Sequence, residues 1–195
     1  MNKPAFTYAM AQRIYERYLG YQTVIGVTFG EPRVGKSVYE ILVMKDLIKW
    51  WDTSPVVPSV DRKKVVEWSA SWGTKDPEIN YWRSFLTFKP VNDPEDKHPS
   101  FIDMIRFLTQ NEIRAPLGIW DDAGIWMFAL DWSDPKIKAA LKILQVAGTA
   151  FGGLKLTTPA LKLIIKKVLE IEGIHVTKVV RSSGCAPSKE GDDLP

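Results

Sequence analysis

Gly30-Glu31-Pro32-Arg33-Val34-Gly35-Lys36-Ser37 decides the fold, because of what stands on either side of it. Ahead lies Thr23-Val24-Ile25-Gly26-Val27-Thr28-Phe29, short, apolar and β-branched, as a buried strand should be. Behind it, residues 38–51 repeat apolar side chains at helical spacing: Val38, Ile41, Leu42, Leu47, Ile48 and Trp51. Strand, glycine loop and helix in that order give G-x-x-x-x-G-K-[ST] the setting of a phosphate-binding loop. The competing reading is a chance glycine turn before a helix, and the flanks weigh against it.

The residue types suit the chemistry. Gly30 and Gly35 let the backbone wrap a polyphosphate closely, with loop amides and the helix N-terminus facing its oxygens. Lys36 reaches the β- and γ-phosphates as a point charge, and the Ser37 hydroxyl ligates Mg²⁺. The expected nucleotide-binding set is therefore Gly30, Glu31, Pro32, Arg33, Val34, Gly35, Lys36, Ser37 and Val38.

Composition bounds the rest. The 195 residues suffice for one domain with a substantial core, and 45% apolar with 25% charged residues is ordinary for a soluble globular protein. A net charge of +3, from 26 basic and 23 acidic residues, is too small to argue for nucleic acid alone, so any polyanion surface must be a local patch. A single cysteine, Cys185, makes no internal disulfide and fits a reducing interior. No apolar run approaches the ~18 residues that cross a bilayer, and no signal-peptide core opens the chain, so a cytoplasmic protein without a membrane partner is expected. The eight tryptophans read first as core packing.

Before the loop, residues 5–19 read as a helix with Phe6, Met10, Ile14 and Tyr18 on one stripe and Gly20 as its stop. It either lies near a nucleotide base or covers a sheet edge. Residues 55–82 are hard to assign; a helix from Asp61 to Trp72, capped by Ser59 or Asp61, fits them best. Residues 84–89 alternate as a strand, and Ser100 caps a helix carrying Phe101, Ile102, Ile105, Phe107 and Leu108. Pro116 opens a hydrophobic strand to Trp120. A very apolar run follows at residues 125–132, then a helix from Pro135 to about Ala150, with Gly152-Gly153 as punctuation. Residues 154–158 are the next strand, Pro159 opens another helix, and residues 174–181 form the last strand. The expected domain spans 1–181, with 182–195 a disordered tail. Strands that come singly between helices imply right-handed crossovers: an α/β, three-layer fold with a mostly parallel five-stranded sheet.

A phosphate-binding loop needs a carboxylate at a neighbouring strand tip to hold Mg²⁺ through water, and a second polar group to direct the attacking water. Leu117-Gly118-Ile119-Trp120-Asp121-Asp122 supplies both: Asp121 is assigned to the metal and Asp122 to the water. Asp is one methylene shorter than Glu, so slow hydrolysis is expected. Thr157 or Thr158 is placed to bond the γ-phosphate or the water; a threonine pair merely finishing a strand is the equal alternative.

These residues together resemble the additional-strand P-loop ATPases, the group of AAA+ proteins, replication initiators, RecA-like motors and viral packaging ATPases. Residues 30–37 stand as its Walker A motif, 117–122 as Walker B, and Thr157 or Thr158 as its sensor. The Trp-Asp-Asp-Ala-Gly form is similar to small ATPases of archaeal viruses and plasmids. The resemblance implies a P-loop NTPase fold, ATP and Mg²⁺ as cofactors, nucleic acid as a partner in replication initiation, partition or genome packaging, and a homo-oligomer or protein partner. Two departures stand out: the usual Walker B glutamate is Asp122, and no helical lid follows the last strand. An arginine finger has only Arg62, Arg83, Arg106 and Arg114 as candidates, by elimination.

Two other functions compete. A small-molecule or nucleotide kinase shares the loop, but residues 123–135 hold no arginine of the kind a kinase lid carries. A weakly hydrolysing switch would use residues 125–132 as a partner surface. Lys162, Lys166, Lys167 and Lys178 form a basic face of little weight alone.

Overall fold

The computed structural model describes residues 4–71, 76–87, 99–126, 142, 147–164, 166–170 and 173–180. Its centre is a parallel sheet flanked by helices. Four strands carry it: β1 (Val24–Phe29), β3 (Ala115–Trp120), β4 (Phe151–Thr158) and β5 (His175–Lys178). The strand expected over 84–89 shrinks to β2 (Leu86–Thr87), two residues paired in parallel with Ile119 and Trp120 at the sheet edge. The spatial order is β2-β3-β4-β1-β5. In sequence β2 lies between the glycine loop and the acid pair. In space it is β4 that separates their strands.

That order explains the layering. The chain leaves β1 for the β2 edge and then steps back through β3 and β4, so right-handed crossovers put α2 (Lys36–Thr53) and α5 (Phe101–Gln110) on opposite faces. The contacts agree. Glu40 of α2 reaches Lys155, whereas Phe101 of α5 stacks on Trp120 at 5.1 Å, and Trp120 pairs with Leu156, the residue of opposite orientation. Trp51 and Trp120 are fully buried in the core, as the packing reading of the tryptophans requires.

Helix α1 (Ala9–Leu19) begins four residues later than its apolar stripe suggests. Its open N-terminus is closed by α2: the Asp46 carboxylate accepts from the backbone N–H of Thr7 (2.7 Å) and Tyr8 (3.1 Å). The helix covers the sheet, but over the central strand β4 rather than an edge. Gly152 and Gly153 lie inside β4 rather than ending a helix, because α1 rides directly over them. A Cβ on Gly153 would meet Ile14 carbons at 2.9–3.0 Å, and one on Gly152 would meet Tyr18 at 2.6 Å.

Between α2 and β2 run α3 (Ser59–Ala70) and α4 (Pro77–Arg83), the second of which the sequence did not signal. The N-cap of α3 is Pro58, not Ser59 or Asp61, and no side chain caps it. Ser100 does cap α5, in a reciprocal box with Asp103. After β4 the continuous helix expected from Pro159 is a 3₁₀ turn, Leu161–Leu163, and a single helical turn, Lys166–Leu169. Ile164 between them is extended and buried. A helix α6 spans Ala123–Trp126. The apolar run past residue 126, most of the helix expected over 135–150 and the expected tail at 182–195 lie outside the described residues.

Candidate functional site

All strands being parallel, their C-terminal ends share one side of the sheet, where open α/β sheets place ligands. There the turn after β1, the acids after β3 and the end of β4 come together. Gly30 is buried, and a Cβ on it would strike the Val179 carbonyl and crowd Val34, so the close approach of backbone to backbone requires glycine. Gly35, at φ 92, is the left-handed N-cap of α2. Arg33 also has positive φ, 61. Lys36 is the first residue of α2 and is 8% exposed; its Nζ donates to the carbonyls of Gly30 (3.0 Å) and Glu31 (2.9 Å), folding back across the loop. Glu31, Pro32, Arg33 and Val38 are exposed.

Ser37 Oγ donates to Asp121 Oδ1 at 2.9 Å. Asp121 is 3% exposed, and the same oxygen accepts a hydrogen bond from Thr157 Oγ1. Thr157 in turn accepts from the Asp122 backbone N–H at 2.8 Å. The register places Thr157 opposite Thr28 of β1, one step beyond the Leu156–Trp120 pair, so β4 delivers its hydroxyl between the other two strands. Thr158 goes elsewhere: it is fully buried, bonds the Ala160 carbonyl at 3.0 Å and presses against Gly124. Of the two threonines the structure brings Thr157 to the acids and leaves Thr158 out.

Asp122 is exposed at φ 50, a left-handed conformation that Asp tolerates better than most residues. Its carboxyl pKa is raised above the ordinary value, first by burial and then by the neighbouring charge of Asp121, with Lys36 pulling the other way. Lys36, Ser37, Asp121, Asp122 and Thr157 thus share one neighbourhood.

Mg²⁺ fits this donor set. It keeps several waters and takes few protein ligands, so one hydroxyl beside one carboxylate, completed by phosphate oxygens and water, suffices. Among the described residues no group of three or more His, Cys, Asp or Glu gathers as a metal cluster.

One turn further along α2 stands a group that the sequence did not signal. Glu40, Lys155 and Thr28 are all fully buried. Lys155 Nζ lies 3.3 Å from Glu40 Oε1, which also accepts from the Thr28 hydroxyl. Gly26 makes the room, since a Cβ there would sit 2.8 Å from Lys155 Nζ. Burial raises the Glu40 pKa, against the lowering effect of Lys155 and Thr28.

The described arginine-finger candidates are occupied. Arg62 donates to the carbonyls of Trp51, Ser54 and Val57, closing the turn after α2. Arg114 donates to Tyr18 and Gln22 carbonyls, and Arg106 lies 3.5 Å from Asp103. The side chain of Arg83 lies outside the described residues.

No protein-family model matches the chain, and no curated protein or solved structure matches it significantly. No described helix is long and apolar enough to cross a membrane.

Proposed function

We propose that the chain is a Mg²⁺-dependent P-loop ATPase of the additional-strand type, with slow hydrolysis that drives work on nucleic acid. The observation that carries this reading is the 2.9 Å bond between Ser37 Oγ and Asp121 Oδ1, which sets the two expected metal ligands side by side from distant parts of the sequence. The position of β4, between the strands of the glycine loop and the acid pair, supports the additional-strand assignment.

In this reading the loop amides and the α2 N-terminus hold the phosphates. Lys36 exchanges its two loop carbonyls for β- and γ-phosphate oxygens. Mg²⁺, when bound, would supply charge neutralisation to the phosphates. Ser37 and Asp121 would hold it, while Thr157 fixes the Asp121 carboxylate. Asp122 positions the attacking water. Its side chain, one methylene shorter than that of Glu, sits on a left-handed backbone and reaches less far toward the γ-phosphate, which supports slow turnover.

The test is ATP turnover with and without Mg²⁺, and with and without single- and double-stranded DNA, beside Lys36→Ala. Phosphate release that needs Mg²⁺ and disappears in Lys36→Ala is expected, with no acceptor added. ADP formed only when an acceptor is supplied, with the phosphoryl group on the acceptor and no free phosphate, would make the chain a kinase. Turnover that survives in Lys36→Ala would overturn the site.

A further inference from the structure

The opposite end of the sheet, where β1 and β5 begin, carries a separate cavity of about 270 Å³. Among the described residues its walls include Arg13, Arg17, Gln22, Thr23, His175 and the backbone at Gly173, and no acidic residue. Arg13 and Arg17 are one turn apart on α1 and share a side of it. Arg17 donates to the neutral amide oxygen of Gln22, and among the described residues neither arginine faces a carboxylate. The Thr23 hydroxyl is engaged with the carbonyls of Gly148 (2.7 Å) and Phe151 (2.9 Å), leaving the guanidinium groups as the charged donors of the wall. The concentration of positive charge registers on His175: burial, then Arg13, Lys155 and Arg17, lower its pKa below the ordinary value.

A cationic cavity below the ~300–1,000 Å³ of drug-sized ligand sites calls for a small anion, and forked guanidinium groups match the oxygens of a phosphate. Tyr21, next to Gln22 in the chain, has positive φ (54) and is 89% exposed, with the Arg114 guanidinium 5.7 Å from its ring centre. Tyr21 is not in the wall but is one residue from Gln22, which is, and a solvent-facing aromatic there suits an unstacked base.

We propose that this cavity is a phosphodiester site, in which Arg13 and Arg17 grip one phosphate of a single-stranded nucleic acid while Tyr21 stacks on the adjoining base. It gives the nucleic-acid part of the proposed function a place, far along the strands from the nucleotide loop. A duplex fits less well, since its bases are already stacked.

The full chain, without nucleotide, is titrated into a labelled single-stranded 12-mer and its duplex over a salt series, read by fluorescence anisotropy. The single strand is expected to bind more tightly than the duplex. Arg13→Ala and Arg17→Ala should each weaken it about tenfold, and the double variant, which leaves that phosphate with neither arginine, should flatten the salt slope by roughly 0.7. Tyr21→Gly, which keeps the left-handed backbone, should weaken it by roughly 5- to 100-fold with the salt slope unchanged. Inorganic phosphate serves as competitor. Phosphate that binds the wild type but not Arg13→Ala, with no oligonucleotide binding, would make this a free-anion site and overturn the proposal. So would oligonucleotide affinity unchanged in both arginine variants. Lys36→Ala should bind the oligonucleotide as the wild type does, so a failure of ATP turnover leaves this result standing, and the reverse.

Discussion

Helix α2 and strand β4 bring polar side chains together at two levels, built to opposite specifications. At the upper level Ser37 and Thr157 converge on one oxygen of Asp121. One turn lower, and two residues earlier on the strand, Glu40 faces Lys155. Ser37 is half-buried and Asp122, next to Asp121, is exposed, so the upper group reaches solvent. The lower pair is sealed at 0% exposure. The difference separates two uses of charge: one stays open to solvent, where the proposed function needs a ligand, and the other fixes the helix beneath it.

The largest effect should come from breaking the sealed pair. Lys155→Met leaves Glu40 buried without a counter-ion and should destabilise the fold by about 3–5 kcal/mol, read from the denaturant midpoint. Adding Glu40→Leu should recover most of that loss, because two well-packed apolar side chains replace a buried ion pair at little cost. A single variant as stable as the wild type would mean that the pair is not sealed.

The two levels differ sharply in legibility. Gly30 and Asp121 follow the ends of β1 and β3 while Lys36 and Ser37 open α2, so strand, turn and helix are read together as a local motif. Glu40 and Lys155 sit inside a helix and a strand, where a charged residue ordinarily reads as a solvated face. Only the pairing of β4 between β1 and β3 buries Lys155 on both sides, and strand order is not written locally. The same reason hides the start of α1, closed by Asp46 from 38 or more residues away, and the glycines of β4, which serve Ile14 and Tyr18 rather than a turn. Ser100 and Asp103, a cap that is local, are readable. The choice between Thr157 and Thr158 needs the strand's alternation about a known register, which only the sheet supplies.

That choice gives the next prediction, at the open level. Thr157→Val keeps the shape but removes the acceptor of the Asp122 N–H and a donor to Asp121. It should cost about 1–3 kcal/mol of stability and lower Mg²⁺-dependent turnover roughly tenfold. Thr158→Val loses one bond to Ala160, about 0.5–1.5 kcal/mol, and should leave turnover as it is. Equal turnover in the two variants would erase the distinction between the site and its surroundings.

The smallest effect is a pH slope, and it contrasts the levels most directly. Glu40 and Asp122 both have raised carboxyl pKa values, each mainly through burial. For such a group the folded protein holds a proton that the unfolded chain has already released, so stability falls as pH rises from the ordinary value, 4.5 for Glu40, through the raised one. Below 4.5 the contribution is fully present. Salt screens the part of the Asp122 shift that comes from the neighbouring Asp121 charge, whereas the share of sealed Glu40 is not screened. Denaturant midpoints across this window should therefore lose part of their slope at high salt in the wild type and most of the remainder in Glu40→Gln. A slope that salt abolishes entirely would place Glu40 in contact with solvent and merge the two levels into one.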